Sequence, residues 1–165
     1  MTRTFPSLIA IVLCFGACAT SADVKITEVP LDAMPASVVS AISAERPGFV
    51  ASEVLRKDRD GRTYYDVEGL TAEGAEIEFD ILMHGDQAEI VEIQRDLAWS
   101  EVPDEVKEIV PGVGAGIVPA RIIESVQTDG SVIYELFAEG APSDPAHEVR
   151  VHGGTVELLD ERWIH

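Results

Sequence analysis

Two aspartates and a glycine in the stretch KDRDGRTYYDVEG, residues 57–69, could belong to a calcium-binding loop. An EF-hand loop places oxygen ligands at positions 1, 3 and 5, glycine at position 6 and a bidentate carboxylate at position 12. With Gly61 at position 6, Arg56 takes position 1 and Val67 takes position 12, so two essential ligands are missing. The pair Asp60-Gly61 between two strand-like runs is instead typical of a β-hairpin turn, because both residues tolerate positive φ.

Other catalytic and metal-binding patterns are incomplete too. Residues 147–152 read HEVRVH, one residue longer than the zinc-protease motif, and a strand would place the two histidines on opposite faces. Cys14 and Cys18 are the only cysteines, and both lie within the first 18 residues. No Gly-x-Ser-x-Gly nucleophile motif occurs. The glycines at 112–116 follow a predicted helix rather than a strand, unlike a nucleotide-binding loop. The sequence therefore predicts no enzyme and no cofactor.

Acidic side chains alternate with apolar ones in EIEFDI, residues 76–81, which predicts a strand with one face under a helix. The residues predicted to bind a partner on the opposite, open face are Tyr64, Asp66, Glu76, Glu78, Asp80, Ile133 and Phe137. Neighbouring carboxylates repel, so water and salt, a cation or a basic partner must offset them. Ile133 and Phe137 are apolar where water is expected, and either they contact a partner or a tail with Trp163 and Ile164 covers them.

The elements that position these residues occur twice. The pattern around Gly61 returns around Gly130, which indicates two tandem units, at 30–96 and 97–162. In each unit a helix is bounded by prolines, at 35 and 47 in the first and at 103 and 111 in the second. Strands are predicted at about 50–57, 62–69, 75–83, 88–95, 117–127, 131–139, 147–152 and 155–161. The predicted fold class is α+β, with two tandem α-β-β-β-β units whose helices pack on one face of an antiparallel sheet.

The segment 1–22 has the pattern of an export signal, with one arginine, a short apolar run and then small residues. Phe15-Gly16-Ala17-Cys18 resembles a bacterial lipobox, whereas cleavage near Ala22 is the alternative. The expected location is the periplasm, either free or as a lipoprotein that faces the periplasm or the cell surface. The 165 residues carry a formal net charge of −18, which disfavours nucleic acid and favours a protein partner with a basic patch.

The repeated order of Pro-bounded helix, Asp-Gly turn, tyrosine-bearing strand and glycine turn resembles the PepSY-like, β-lactamase-inhibitor-protein-like group of exported bacterial proteins. The resemblance covers about residues 30–162 and departs at 112–116, where the first unit has a full helix end. It implies helices on an antiparallel sheet, with the sheets of the two units side by side. It also implies a binding module, since the inhibitor that names the group binds its enzyme on the open sheet face.

The expected function is therefore that of an exported, non-enzymatic binding or inhibitor-like module that engages a protein through its open sheet face. The alternative is a protein that binds or senses divalent cations with the acidic residues of the same face.

Overall fold

The computed structural model describes residues 24–141 and 144–163, and within these ranges the chain forms one nine-stranded antiparallel sheet. Each strand is hydrogen-bonded to the next one in sequence, so the spatial order equals the chain order. The strands are β1 Lys25–Glu28, β2 Val50–Arg59, β3 Arg62–Leu70, β4 Glu76–His84, β5 Gln87–Asp96, β6 Arg121–Gln127, β7 Val132–Phe137, β8 His147–His152 and β9 Thr155–Leu158. The predicted export signal at 1–22, with Cys18 and Ala22, lies outside the described residues.

Two α-helices pack on one face of this sheet, α1 at Ala36–Glu45 and α2 at Asp104–Ile109. Short 3₁₀ turns occur at Leu31–Ala33, Trp99–Glu101 and Val113–Ala115. In the described part of the chain, no helix has the length and apolar character needed to cross a membrane.

The prediction of two helix-packed α-β-β-β-β units is wrong. The strands join into a single sheet, because β5 pairs with β6 across the predicted boundary at residues 96 and 97, and β1 adds a strand before α1. Only α1 is a substantial helix. A residue that precedes proline disfavours the helical conformation, and Val110 before Pro111 is extended at ψ 124°, which ends α2 after six residues. The unit limits 30–96 and 97–162 stay a prediction.

Two apolar clusters form the core between the sheet and the helices. The first cluster consists of Val38, Ile42, Val54, Tyr65, Val67, Ile77, Phe79 and Ile81. The second cluster consists of Leu97, Val102, Val106, Val110, Ile122, Tyr134, Leu136 and Val149. Tyr65 and Tyr134 lie in the strands that follow the Asp-Gly turns at Gly61 and Gly130, and each is buried in one of the two clusters.

The turn between β2 and β3 confirms the hairpin interpretation of Asp60-Gly61. Both residues have positive φ, 53° and 74°, and the flanking residues Arg59 and Arg62 are paired. Asp58, the other residue of the calcium-like pattern, accepts hydrogen bonds from Thr63 at 2.7 Å and from Arg56. These two contacts lower the pKa of the Asp58 carboxyl, the Thr63 bond having the larger effect. The Asp58 carboxylate therefore stabilises the β2–β3 hairpin through these hydrogen bonds.

Candidate functional site

The open face, which we define as the sheet face opposite α1 and α2, carries all seven residues predicted to bind a partner. Side chains alternate between the faces of a strand, and Tyr65 and Val67 of β3 point into the core, so their neighbours point away from it. The seven residues are Tyr64 and Asp66 on β3, Glu76, Glu78 and Asp80 on β4, and Ile133 and Phe137 on β7. Glu76 is exposed, Glu78 and Asp80 are half-buried, and the remaining four are buried.

The apolar pair on β7 is not accessible. Ile133 is 0 % exposed and Phe137 is 4 % exposed, so neither offers apolar surface to solvent, and their contact with a partner stays a prediction. Arg150 of β8 lies opposite Ile133, and its Cζ lies 5.2 Å from the centre of the Trp163 ring. The tail residue Trp163 therefore lies on this half of the open face, while Ile164 is outside the described residues.

Acidic side chains face one another across three neighbouring strands. Asp66 of β3 is in register with Asp80 of β4, which is in register with Glu92 of β5. One step along the sheet, Glu68 lies opposite Glu78. Like charges in directly opposed positions destabilise a sheet, so these rows require compensation from nearby groups or from a ligand.

Lys57 supplies part of that compensation. Its Nζ contacts Oδ2 of the buried Asp66. Asp66, Glu78 and Asp80 each offer a carboxylate oxygen, and these oxygens lie within 4.8 Å of one another, a spacing that could hold a metal ion. Because the Lys57 ammonium already sits at this cluster as an internal cation, a divalent ion would have to displace it or share the carboxylates with it.

A groove of about 260 Å³ opens beside the rows, at the strand ends away from the β2–β3 hairpin. Its lining combines carboxylates with apolar surface and one arginine. The lining residues are Glu68, Ala75, Glu76, Ile77, Glu78, Gln94, Arg95, Asp96 and Ile123.

The charges of the groove are unevenly paired. The Arg95 Nε donates to Glu124 at 2.7 Å, and Asp96 accepts from Arg121 at 2.9 Å. Among the described residues, no ion pair neutralises the three remaining carboxylates, which are those of Glu68, Glu76 and Glu78. The groove therefore holds negative charge that is available to a cation.

Two of these carboxyl groups hold their protons unusually well. Burial, followed by the charge of Asp80, raises the pKa of Glu78 to about 7, although Lys57 opposes the change. The pKa of Glu68 is also raised, chiefly by a side-chain hydrogen bond with Glu76 and then by burial. A group with a pKa near 7 changes charge around neutral pH, so the charge of the groove depends on pH there.

Sequence reasoning missed a buried polar network on β5 and β6. The Gln127 Nε2 donates to Glu92 Oε1 at 2.9 Å and to Ser125 Oγ at 2.8 Å. Glu92 and Ser125 are 1 % and 0 % exposed. The alternation Ser125-Val126-Gln127 was the available signal for polar residues on one face. On β5 the register with β4 shifts after Asp80, and this shift interrupts the alternation of polar and apolar residues. Alternation alone therefore could not show that Glu92 is a polar residue of the buried network.

Ser131, His152 and Asp129 meet near the β6–β7 turn, with the composition of a catalytic triad. His152 Nδ1 lies 3.1 Å from Ser131 Oγ, but Asp129 accepts from the Ser131 backbone N–H at 2.7 Å instead of orienting the imidazole. Arg150 donates twice to the same Oγ, and Ser131 is fully buried. A nucleophile needs access to substrate and a base aligned by the acid. The cluster lacks both, and its hydrogen bonds stabilise the β6–β7 turn.

No family model, no curated protein and no solved structure matches the chain. The resemblance to the PepSY-like group accordingly stays a prediction, and the functional argument depends on the open face itself.

Proposed function

We propose that this chain is an exported, non-enzymatic binding module that engages a protein partner through the open face of its sheet. The partner presents a basic patch, and its lysine or arginine side chains enter the groove between β3 and β6. Export with lipidation at Cys18, or with cleavage near Ala22, belongs to the same proposal. The net charge of −18 supports a cationic protein and disfavours nucleic acid, because the field of the whole molecule attracts positive charge.

The observation that carries the proposal is the set of three carboxylates in the groove without a neutralising ion pair among the described residues. Glu68 and Glu78 face each other across two strands, and Glu76 hydrogen-bonds Glu68. A cation between them would offset the repulsion of the ionised carboxylates, which the free protein reduces by holding protons on Glu68 and Glu78. The apolar lining by Ile123 suits the methylene stem of a lysine or arginine, whose charged end would reach the carboxylates.

Affinity for a lysine-rich peptide should rise with pH between about 6 and 8. A bound cation favours ionised Glu78, so it lowers the pKa of this group from about 7 and releases a proton. Below that pH the proton must leave before the peptide binds, which weakens binding. A decrease of one pKa unit corresponds to about a tenfold change in affinity. Titration calorimetry at several pH values measures this dependence.

The matched variants are Glu78→Gln and Glu73→Gln. The first removes the titrating group and should flatten the pH dependence, whereas Glu73 is exposed at the β3–β4 turn, and its change should leave the dependence intact. A peptide that binds Glu78→Gln with the parent's pH profile would place the contact outside the groove. Absence of binding at every pH would contradict the proposed function.

A divalent cation is the second candidate ligand, favoured by the close approach of Asp66, Glu78 and Asp80. Binding to the native state alone raises the melting temperature. If this candidate is correct, calcium chloride below millimolar concentration should stabilise the parent, and Asp66→Asn should abolish the effect. Sodium chloride at equal ionic strength is the control for screening. Equal melting temperatures in the two salts would dismiss the cation and leave Lys57 as the counter-ion of the cluster.

A further inference from the structure

The chain after β9 leaves the sheet and lies across its open face. Leu159 makes the last backbone contact of the edge, its N–H donating to the Glu148 carbonyl at 2.9 Å. Asp160, Glu161 and Arg162 are exposed and have no regular secondary structure. The following residue, Trp163, is half-buried. We name residues 160–163 the strap.

Side-chain contacts hold the strap in place. The Trp163 N–H donates to Oε2 of the buried Glu148 at 2.6 Å, and the indole stacks over the Arg150 guanidinium. Arg162 pairs with Asp144, and both side chains of this pair are largely exposed. Exposed ion pairs contribute little to stability, so the attachment depends mainly on Trp163.

The indole of Trp163 closes one end of the open face. It lines a cavity of about 210 Å³ that also has Arg62 and Tyr64 of β3, Leu82 of β4 and Asp129 of the β6–β7 turn in its wall. Residues from β3 through β6 thus share one concavity with the tail. Ile133 of β7 is fully buried and is paired across the strands with Arg150. The indole stacks on this same arginine.

One contact of the strap is incomplete. The Trp163 Nε1 is buried and has no hydrogen-bond acceptor among the described residues. A buried donor without an acceptor costs free energy that water or another acceptor would restore. The strap is therefore held less firmly than it would be if this indole N–H had an acceptor.

We infer that the strap is an autoinhibitory segment. It occupies the part of the open face around Glu148 and Arg150 of β8, and it lifts when a partner binds there. The inference rests on the proposed function, since it takes the open face as the binding surface. A segment that must leave before binding reduces the apparent affinity by the fraction of molecules in the open state. Displacement would return the indole N–H to water and would uncover the Glu148 carboxylate, which a basic partner can bind.

The first experiment needs no partner. In a Trp99→Phe background Trp163 is the single tryptophan of the 165-residue chain. Acrylamide quenching of its fluorescence is measured against denaturant concentration, together with far-UV circular dichroism. A strap that lifts on its own should raise the quenching constant about twofold before the sheet unfolds. If quenching and circular dichroism change together, the segment is an integral part of the fold and the inference is overturned.

The second experiment uses a lysine-rich peptide as the probe. Trp163→Ala should bind it about fivefold more tightly than the parent, because the Glu148 carboxylate that the strap occupies becomes available to a further lysine of the peptide. Glu161→Ala, a change of an exposed neighbour, should bind like the parent. Equal affinity of all three proteins would overturn the inference while leaving the proposed function standing. If none of the three binds, the proposed function fails, and the quenching experiment still decides whether the strap lifts.

Discussion

Lys57 determines much of the electrostatic state of the open face. It contacts the buried Asp66 and opposes the increase in the pKa of Glu78, so a single ammonium group stabilises an acidic cluster on two strands. In the groove beside it the Arg95 guanidinium is paired with Glu124, and the carboxyl groups of Glu68 and Glu78 have raised pKa values and hold protons. Two parts of one face therefore relieve the same repulsion differently, and the part that relies on protons is the part best suited to bind a cation.

Gly69 of β3 has a steric role that can be tested. A Cβ built at this position would lie 2.3 Å from the Val50 carbonyl oxygen and 2.6 Å from Cζ of Phe49. The Phe49 ring packs edge-on against Phe79 in the first core cluster, with ring centres 5.0 Å apart, so it cannot move freely. Gly69→Ala should therefore destabilise the protein by roughly 2 kcal/mol through overpacking, as measured by denaturant unfolding.

The control for that variant is Gly114→Ala. No heavy atom lies within 4 Å of a Cβ built at Gly114, and its φ is outside the positive range. Its stability should match the parent or exceed it slightly, because alanine restricts the unfolded chain. Equal stability of both variants and the parent would show that the strand pair accommodates a methyl group at position 69.

At the residue level, the alternation in EIEFDI was sufficient to place Glu76, Glu78 and Asp80 on one face. It could not reveal that Tyr64 and Ile133 on the same face are buried. That burial depends on the Arg59 guanidinium, which lies over the Tyr64 ring, and on a tail that returns across the sheet from residue 159 onward. A two-residue period shows which face of a strand carries a side chain, whereas the burial of that side chain depends on contacts between segments distant in sequence.

At the scale of elements, proline spacing controls the helices. Pro47 and Pro111 each force the preceding residue out of the helical region, and the shorter interval after Pro103 leaves α2 with six residues against ten in α1. The eight strands from β2 to β9 lie close to their predicted positions because Asp-Gly and other glycine turns separate them. By contrast, β1 escaped prediction, since its four residues are exposed and show no apolar alternation.

The bulge in β2 shows how an element adapts to a neighbour. The register with β3 shifts between Ala51 and Glu53, and the Ser52 hydroxyl donates to the Glu68 carbonyl at 3.2 Å. This shift occurs next to Gly69, where a Cβ would lie 2.6 Å from Cζ of Phe49. A bulge bends its strand and increases the local twist, and this one lies where the Val50 carbonyl and the Phe49 ring approach Gly69.

At the scale of the whole molecule, the two core clusters are joined through β5 and β6. Five residue pairs connect these strands, from Glu92 with Gln127 to Asp96 with Ile123. Side chains reinforce the junction on the helix side through Arg95 and Glu124, and on the open face through the buried Gln127 bond to Glu92. The tandem pattern in the sequence could not show this junction, because a repeat defines its units and leaves their pairing open.

One consequence is that the two clusters should unfold together. Val38 of α1 is fully buried in the first cluster, and Val38→Ala should cost about 2 kcal/mol by removing packed methyl groups. Both tryptophans, Trp99 and Trp163, report on the second half of the chain. If the sheet is one cooperative unit, this variant should lower the midpoints of tryptophan fluorescence and far-UV circular dichroism equally, by about 5 °C.

The adjacent Val39 is 45 % exposed, so Val39→Ala is the matched control and should leave both midpoints near those of the parent. A Val38→Ala protein whose circular dichroism shifts while its tryptophan fluorescence melts as before would show that the junction between β5 and β6 does not couple the clusters. A partner bound to the groove would then stabilise one half of the sheet without the other.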